Sequence, residues 1–158
     1  QTQVNQGASF RVYFPKTSKL VVEAQTVSTV PAAPVDSSLS VLVVDDEEGI
    51  RTTLTEFFKA KGFNVTGVES GEKALGYFDG TNQPFDLIIL DIRMPGMSGL
   101  ETFKALRERG ASIQVLLSSG DLPDAETQEL IRDGHLWFIH KPYTFSTLLS
   151  MIDELKSG

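Results

Sequence analysis

Adjacent aspartates at Asp45 and Asp46, a single aspartate at Asp91, a hydroxyl at Ser119 and an ammonium at Lys141 are the side chains of this sequence that could do chemistry together. They stand just past short apolar runs: VLVV at 41–44, LIIL at 87–90, VLL at 115–117 and LWFI at 136–139. Separately, each has an ordinary explanation. Asp45-Asp46-Glu47-Glu48 suits a helix start, where acids favour the dipole. Asp91 can open a turn before Met94-Pro95-Gly96. Ser119-Gly120-Asp121 can be loop ahead of Pro123, which sits well at a helix start, and Lys141 can be solvated. Their coincidence at the same ends of several runs follows from none of these. Clustered carboxylates resist joint ionisation, and a divalent cation relieves that. Oxygen donors without Cys or His suit a hard ion, Mg²⁺ foremost. An aspartate beside such an ion can attack phosphorus and form an aspartyl phosphate. Lys141 and the Ser119 hydroxyl would then stabilise the phosphoryl oxygens.

For that chemistry the runs must be parallel neighbours. Strands are expected at 41–44, 63–68, 86–90, 113–117 and 136–139. The run FNVTGV at 63–68 alternates as a half-exposed edge strand does, whereas the others are solidly apolar, as central strands of a parallel sheet are. Helical periods fall between them. Ile50, Leu54, Phe57 and Phe58 mark one helix, Ala74, Leu75 and Phe78 a shorter one, and Leu100, Phe103 and Leu106 a third. A mostly polar fourth helix, 121–133, is anchored by Leu130 and Ile131. Phe145, Leu148, Leu149, Ile152 and Leu155 mark the fifth. Strands alternating with helices predict an α/β fold with a parallel sheet covered on both faces. In such sheets ligands bind beyond the carboxyl ends of the strands, which is where Asp45, Asp46, Asp91, Ser119 and Lys141 would converge.

Composition narrows the classes. The chain has no cysteine, which excludes disulfides and thiol chemistry and fits a cytoplasmic setting. No apolar stretch approaches the ~20 residues that span a bilayer. Residues 1–38 carry Arg11, Lys16 and Lys19 against Glu23 and Asp36, a net +1, so the remainder carries −8 of the chain's −7. That acidic body disfavours nucleic acid as a partner. His135 and His140 lack Cys or carboxylate at ligand spacing, so packing or surface roles are expected. Neither a G-x-x-x-x-G-K-[ST] loop nor a G-x-G-x-x-G follows a strand, so no nucleotide site is expected.

Taken in order, VLVVDDEE, FDLIILDIRMPGMSGLE, VLLSSGD and FIHKPY resemble the receiver domain of two-component response regulators. The resemblance implies a flavodoxin-like (βα)5 fold with strand order 2-1-3-4-5. It implies that Asp91 is the phosphoacceptor and that Asp46, Asp91 and the Arg93 backbone carbonyl ligate Mg²⁺, with Asp45 acting through water. Ser119 takes the switch hydroxyl position, Phe138 the switch aromatic position, and Lys141 that of the family lysine, before a cis Pro142. Arg93 and Asp121 fall at the two variable positions that tune the lifetime of the aspartyl phosphate. Gly120 stands where Ala is common, and Phe138 lacks the hydroxyl of the frequent Tyr.

NQGASFRVYFP, within residues 1–15, resembles the end of the ATP-binding domain of sensor histidine kinases. Its Phe10, Val12 and Phe14 alternate as a strand, expected to pair with another sheet edge. Residues 16–38 read as a Ser/Thr/Ala/Pro-rich linker and 39–158 as the receiver domain. The order is that of a hybrid histidine kinase. The fragment itself is then no ATP-dependent enzyme, although the parent would be a protein-histidine kinase and could be membrane-anchored. The implied partners are a histidine kinase or a histidine phosphotransfer domain. A homodimer could form through the fourth helix, fifth strand and fifth helix, or through the N-terminal strand. Two rivals compete with this reading: a receiver fold used only for docking, and an aspartate-nucleophile phosphatase. The phosphatase wants a second Asp where this chain has Arg93. A flavin carrier is weaker still, lacking a Ser/Thr-Gly phosphate loop after the first strand.

Overall fold

The computed structural model describes residues 39–79, 85–134 and 136–157. The expectations for residues 1–38 and for His135 lie outside the described residues. Five strands, β1 (Ser40–Val44), β2 (Asn64–Val68), β3 (Leu87–Asp91), β4 (Gln114–Ser119) and β5 (Trp137–His140), form one sheet in the order β2-β1-β3-β4-β5. Every pairing is parallel. The helices are α1 (Glu48–Ala60), α2 (Gly71–Leu75, continued by a 3-10 turn at Gly76–Phe78), α3 (Gly99–Glu108), α4 (Ala125–Arg132) and α5 (Phe145–Ser157).

Apolar strand residues alternate between two cores because successive side chains point to opposite faces. Leu42, Val44, Ile88, Leu90, Val115 and Leu117 pack with Ala74, Leu75, Phe103 and Leu106 of α2 and α3. Val41, Val43, Leu87, Ile89 and Leu116 pack on the other side with Leu54 and Phe58 of α1 and with Leu148 and Ile152 of α5. Stacking of Phe57 on Phe145, centroids 4.0 Å apart, ties α1 to the start of α5. The apolar runs looked uniform in sequence because both faces of the sheet are covered. Edge strand β2 is half-exposed as expected, but its burial does not alternate: Val65 and Val68, three apart, are buried in opposite cores, and Asn64 and Gly67 are exposed.

Several boundaries move toward the polar side. β3 and β4 extend past their apolar runs, so that Asp91 pairs with Ser118 inside the ladder. A polar strand end is invisible to a criterion of apolar continuity. α4 begins at Ala125 because the Asp124 side chain accepts from the Thr127 N–H at 2.8 Å and caps it. Pro123 therefore precedes the cap. A capping box of Ser98 and Glu101 starts α3.

Candidate functional site

Strand order reverses between β1 and β3, and the carboxyl ends of these two neighbours carry Asp45 and Asp91. Both carboxylates are buried, at 3% and 7% exposure. Lys141, just past β5, reaches both: its Nζ donates to Asp91 Oδ1 at 2.7 Å and to Asp45 Oδ2 at 3.2 Å. The reach is set by the backbone, because the Lys141 N–H donates to the Ser119 carbonyl at 2.6 Å. The Lys141–Pro142 peptide is cis, as expected.

The electrostatics follow from burial. Desolvation pushes the Asp45 carboxyl above its ordinary value, against the opposing effects of the Lys141 charge and the Glu47 N–H. Desolvation also acts to lower Lys141, but the hydrogen bond to Asp91 and the charges of Asp45 and Asp91 outweigh it and hold the ammonium above its ordinary value. Lys141 is thus a fixed cation between two sequestered anions.

Beside this triad a cleft of about 420 Å³ is lined by Asp46, Glu47, Asp91, Arg93, Gly120 and Lys141. Asp46 is exposed to it. The Arg93 N–H donates to Asp91 Oδ2 at 3.0 Å, and its exposed guanidinium pairs with Asp121 at 2.9 Å. The two positions singled out for tuning thus meet each other. Buried Ser119 accepts the Asp121 N–H on its Oγ at 3.0 Å. Phe138 lies earlier on β5, paired with Leu117 and half-buried against the same apolar cluster as Leu130 and Ile131 of α4. All the proposed first contacts therefore share one sheet edge, with Phe138 set back from it.

The donor chemistry fits a hard cation. The carboxylate residues Asp46 and Asp91 line one open cleft, with Arg93 beside them. Among the described residues no three acidic or imidazole side chains close into a ready-made cage. Mg²⁺ does not need one, since it is usually held by one or two carboxylates and keeps several waters.

Two features escaped the sequence reading. Arg51 of α1 donates from Nη1 to the carbonyls of Asp45 and Asp46 at 2.7 and 3.2 Å. The only sequence signal was a cation soon after the acid pair. Gly99 is the other. A Cβ there would run into the Asp91 carbonyl oxygen and come within 2.9 Å of Ile92 Cα. Its signal was a glycine at the start of the third helix, where nothing in the apolar period asks for one.

The family model for the response regulator receiver domain matches residues 41–153. The chain is 25% identical to the sensor kinase CckA of Brucella abortus over 160 residues, covering 98% of this chain and 17% of that protein. It is 33% identical to the sensory transduction protein RegX3 of Mycobacterium tuberculosis, covering 72% of this chain and 48% of that one. Thus it spans half or less of the length of these relatives. Among solved structures, it is similar to the receiver domain of the histidine kinase CKI1 from Arabidopsis thaliana, complexed with Mg²⁺ and BeF₃⁻, with TM-score 0.64 and 29% identity over 76% of this chain and 91% of that one.

Proposed function

Because this chain belongs to the response regulator receiver domain family, we propose that it is the phosphoacceptor of a two-component relay, taking a phosphoryl group from phosphohistidine onto Asp91. The observation that carries this reading is the Lys141 ammonium held between the buried carboxylates of Asp45 and Asp91 at the switch point of the sheet. An Asp91 carboxylate oxygen attacks phosphorus, the P–N bond breaks, and the imidazole leaves with a proton. Lys141 neutralises the charge that reaches the phosphoryl oxygens, and Ser119 offers its hydroxyl. Asp46, Asp91 and the Arg93 carbonyl, with Asp45 behind them, would hold Mg²⁺, which would supply further neutralisation of the phosphoryl oxygens. The Arg93–Asp121 pair at the cleft limits access of water and so tunes phosphoryl lifetime.

The donor is a histidine kinase or histidine phosphotransfer domain. An apolar groove of about 660 Å³, lined by Ile50, Leu54, Pro142, Tyr143 and Phe145, shares Glu47 and Lys141 with the cleft. A partner seated there has its histidine beside Asp91. Drawing Ser119 toward a phosphoryl group removes its oxygen from the Asp121 N–H. The change passes to Phe138 and to the surface of α4, β5 and α5, where a second copy or an effector binds. The match to a sensor kinase over 98% of the chain favours a hybrid kinase as parent, acting on the cytoplasmic side. Among the described residues no helix is long and apolar enough to cross a membrane.

Incubation with Mg²⁺ and a small acyl-phosphate donor, followed by intact-mass measurement, tests the reading. A gain of one phosphoryl group, lost in Asp91→Asn, is expected. No gain in the wild-type protein favours a docking module, and steady phosphate release from unrelated esters favours a phosphatase.

A further inference from the structure

Two consecutive aspartates in a strand would point to opposite faces of the sheet. Asp45 and Asp46 can serve one site only if the strand geometry does not run on through them. β1 ends at Val44, and Arg51 spans the residues just beyond it. Consecutive strand carbonyls point in opposite directions, yet those of Asp45 and Asp46 both lie on one nitrogen of Arg51, at 2.7 and 3.2 Å. The backbone N–H of Arg51 also donates to the Glu47 carbonyl at 2.9 Å. One residue therefore holds three successive carbonyls, 45, 46 and 47. The turn is closed from within by the Glu47 N–H, which donates to Asp45 Oδ1 at 2.9 Å. The Glu47 side chain makes no capping hydrogen bond to α1, so the cap position does not fix the turn by that means. The stem of Arg51 runs past Gly67 of β2, where a Cβ would stand 3.1 Å from Arg51 Cγ. Edge strand β2 leaves room for it.

We infer that Arg51 is a positioning residue: its guanidinium fixes the peptide planes of the acidic turn, so that Asp45 stays on Lys141 while Asp46 lines the cleft. For the Mg²⁺ arm of the test this rests on the functional reading above. Charge and positioning make opposite predictions. A guanidinium beside a cation site opposes the cation by charge, so its removal should tighten Mg²⁺ if charge is all it contributes. If it positions the turn, removal should weaken Mg²⁺ by about tenfold or more, as loss of a residue that orients ligands does.

The experiment measures the Mg²⁺ dissociation constant of Arg51→Ala and Arg51→Lys by titration calorimetry, and amide hydrogen exchange at Glu47 and Val43 in chelator. In Arg51→Ala we expect weaker Mg²⁺ binding and faster exchange at Glu47 with no change at Val43 inside β1. Arg51→Lys, which keeps a cation and donors, should fall between Ala and wild type. Unchanged exchange at Glu47, or Mg²⁺ bound as tightly as in wild type or more so by Arg51→Ala, overturns the inference. If the wild-type protein binds no Mg²⁺, the functional reading fails separately, and exchange at Glu47 alone decides the role of Arg51.

Discussion

Lys141 stands between carboxylates from two different strands, and its side chain is only 22% exposed. Truncation would leave Asp45 and Asp91 facing each other in a site that already penalises charge. The cost of stranding one partner of a fully buried pair is about 3–5 kcal/mol. Partial exposure of the ammonium reduces that, so Lys141→Ala should lose about 2–3 kcal/mol in urea unfolding with chelator present. Under the functional reading, added Mg²⁺ restores part of the loss, because it supplies the missing positive charge. Equal unfolding midpoints for Lys141→Ala and wild type in chelator would show that solvent already screens the pair. The exposed Arg93–Asp121 pair is a different case, worth little to stability. Its interest lies in where it stands.

At the scale of elements, the contact of α2 with α3 is set by the absence of a side chain. A Cβ at Gly71 would overlap Thr102 Oγ1 and approach Met97 Cγ to 3.3 Å. Thr102 is fully buried and donates to the Ser98 carbonyl at 2.8 Å, so it cannot swing away freely. Gly71→Ala should therefore destabilise by about 1–3 kcal/mol, the usual range for overpacking. Adding Thr102→Ala should recover part of it, and a double-mutant cycle should give a coupling energy of about 1 kcal/mol. Strict additivity would mean that the helices move apart without cost. Ser98 links this packing to the site, since it caps α3, the helix that follows the loop after Asp91. Its S-x-x-E signature was present in the sequence. Reading only the apolar period placed the helix at Leu100–Leu106 and passed over the cap.

For the whole molecule, binding and folding are linked. A ligand that binds only the folded state stabilises it by RT ln(1 + [L]/Kd), about 2.7 kcal/mol at a hundredfold excess over Kd. If the cleft takes Mg²⁺, thermal unfolding should shift upward with Mg²⁺ and return with chelator, and Asp46→Asn should abolish most of the shift. Asp46 is exposed, so this variant should otherwise fold as wild type does. A Mg²⁺-independent melting temperature would remove the metal from the mechanism.

Sequence alone determined the parallel sheet, its flanking helices and the edge on which the reactive groups gather. Those follow from apolar runs of strand length, helical periods between them and the polar residues that end each run. Asp91 and Ser119 were legible because a carboxylate and a hydroxyl follow buried apolar runs. Tertiary structure alone decided that Lys141 bridges Asp45 and Asp91, that Arg93 meets Asp121 and that Arg51 holds the acidic turn. Each of these contacts joins residues from different elements, or folds a side chain back on its own helix start. Their distances depend on strand order, on register and on the space that Gly67, Gly71 and Gly99 leave open. A one-dimensional pattern carries the faces of each element but not the gap between two of them.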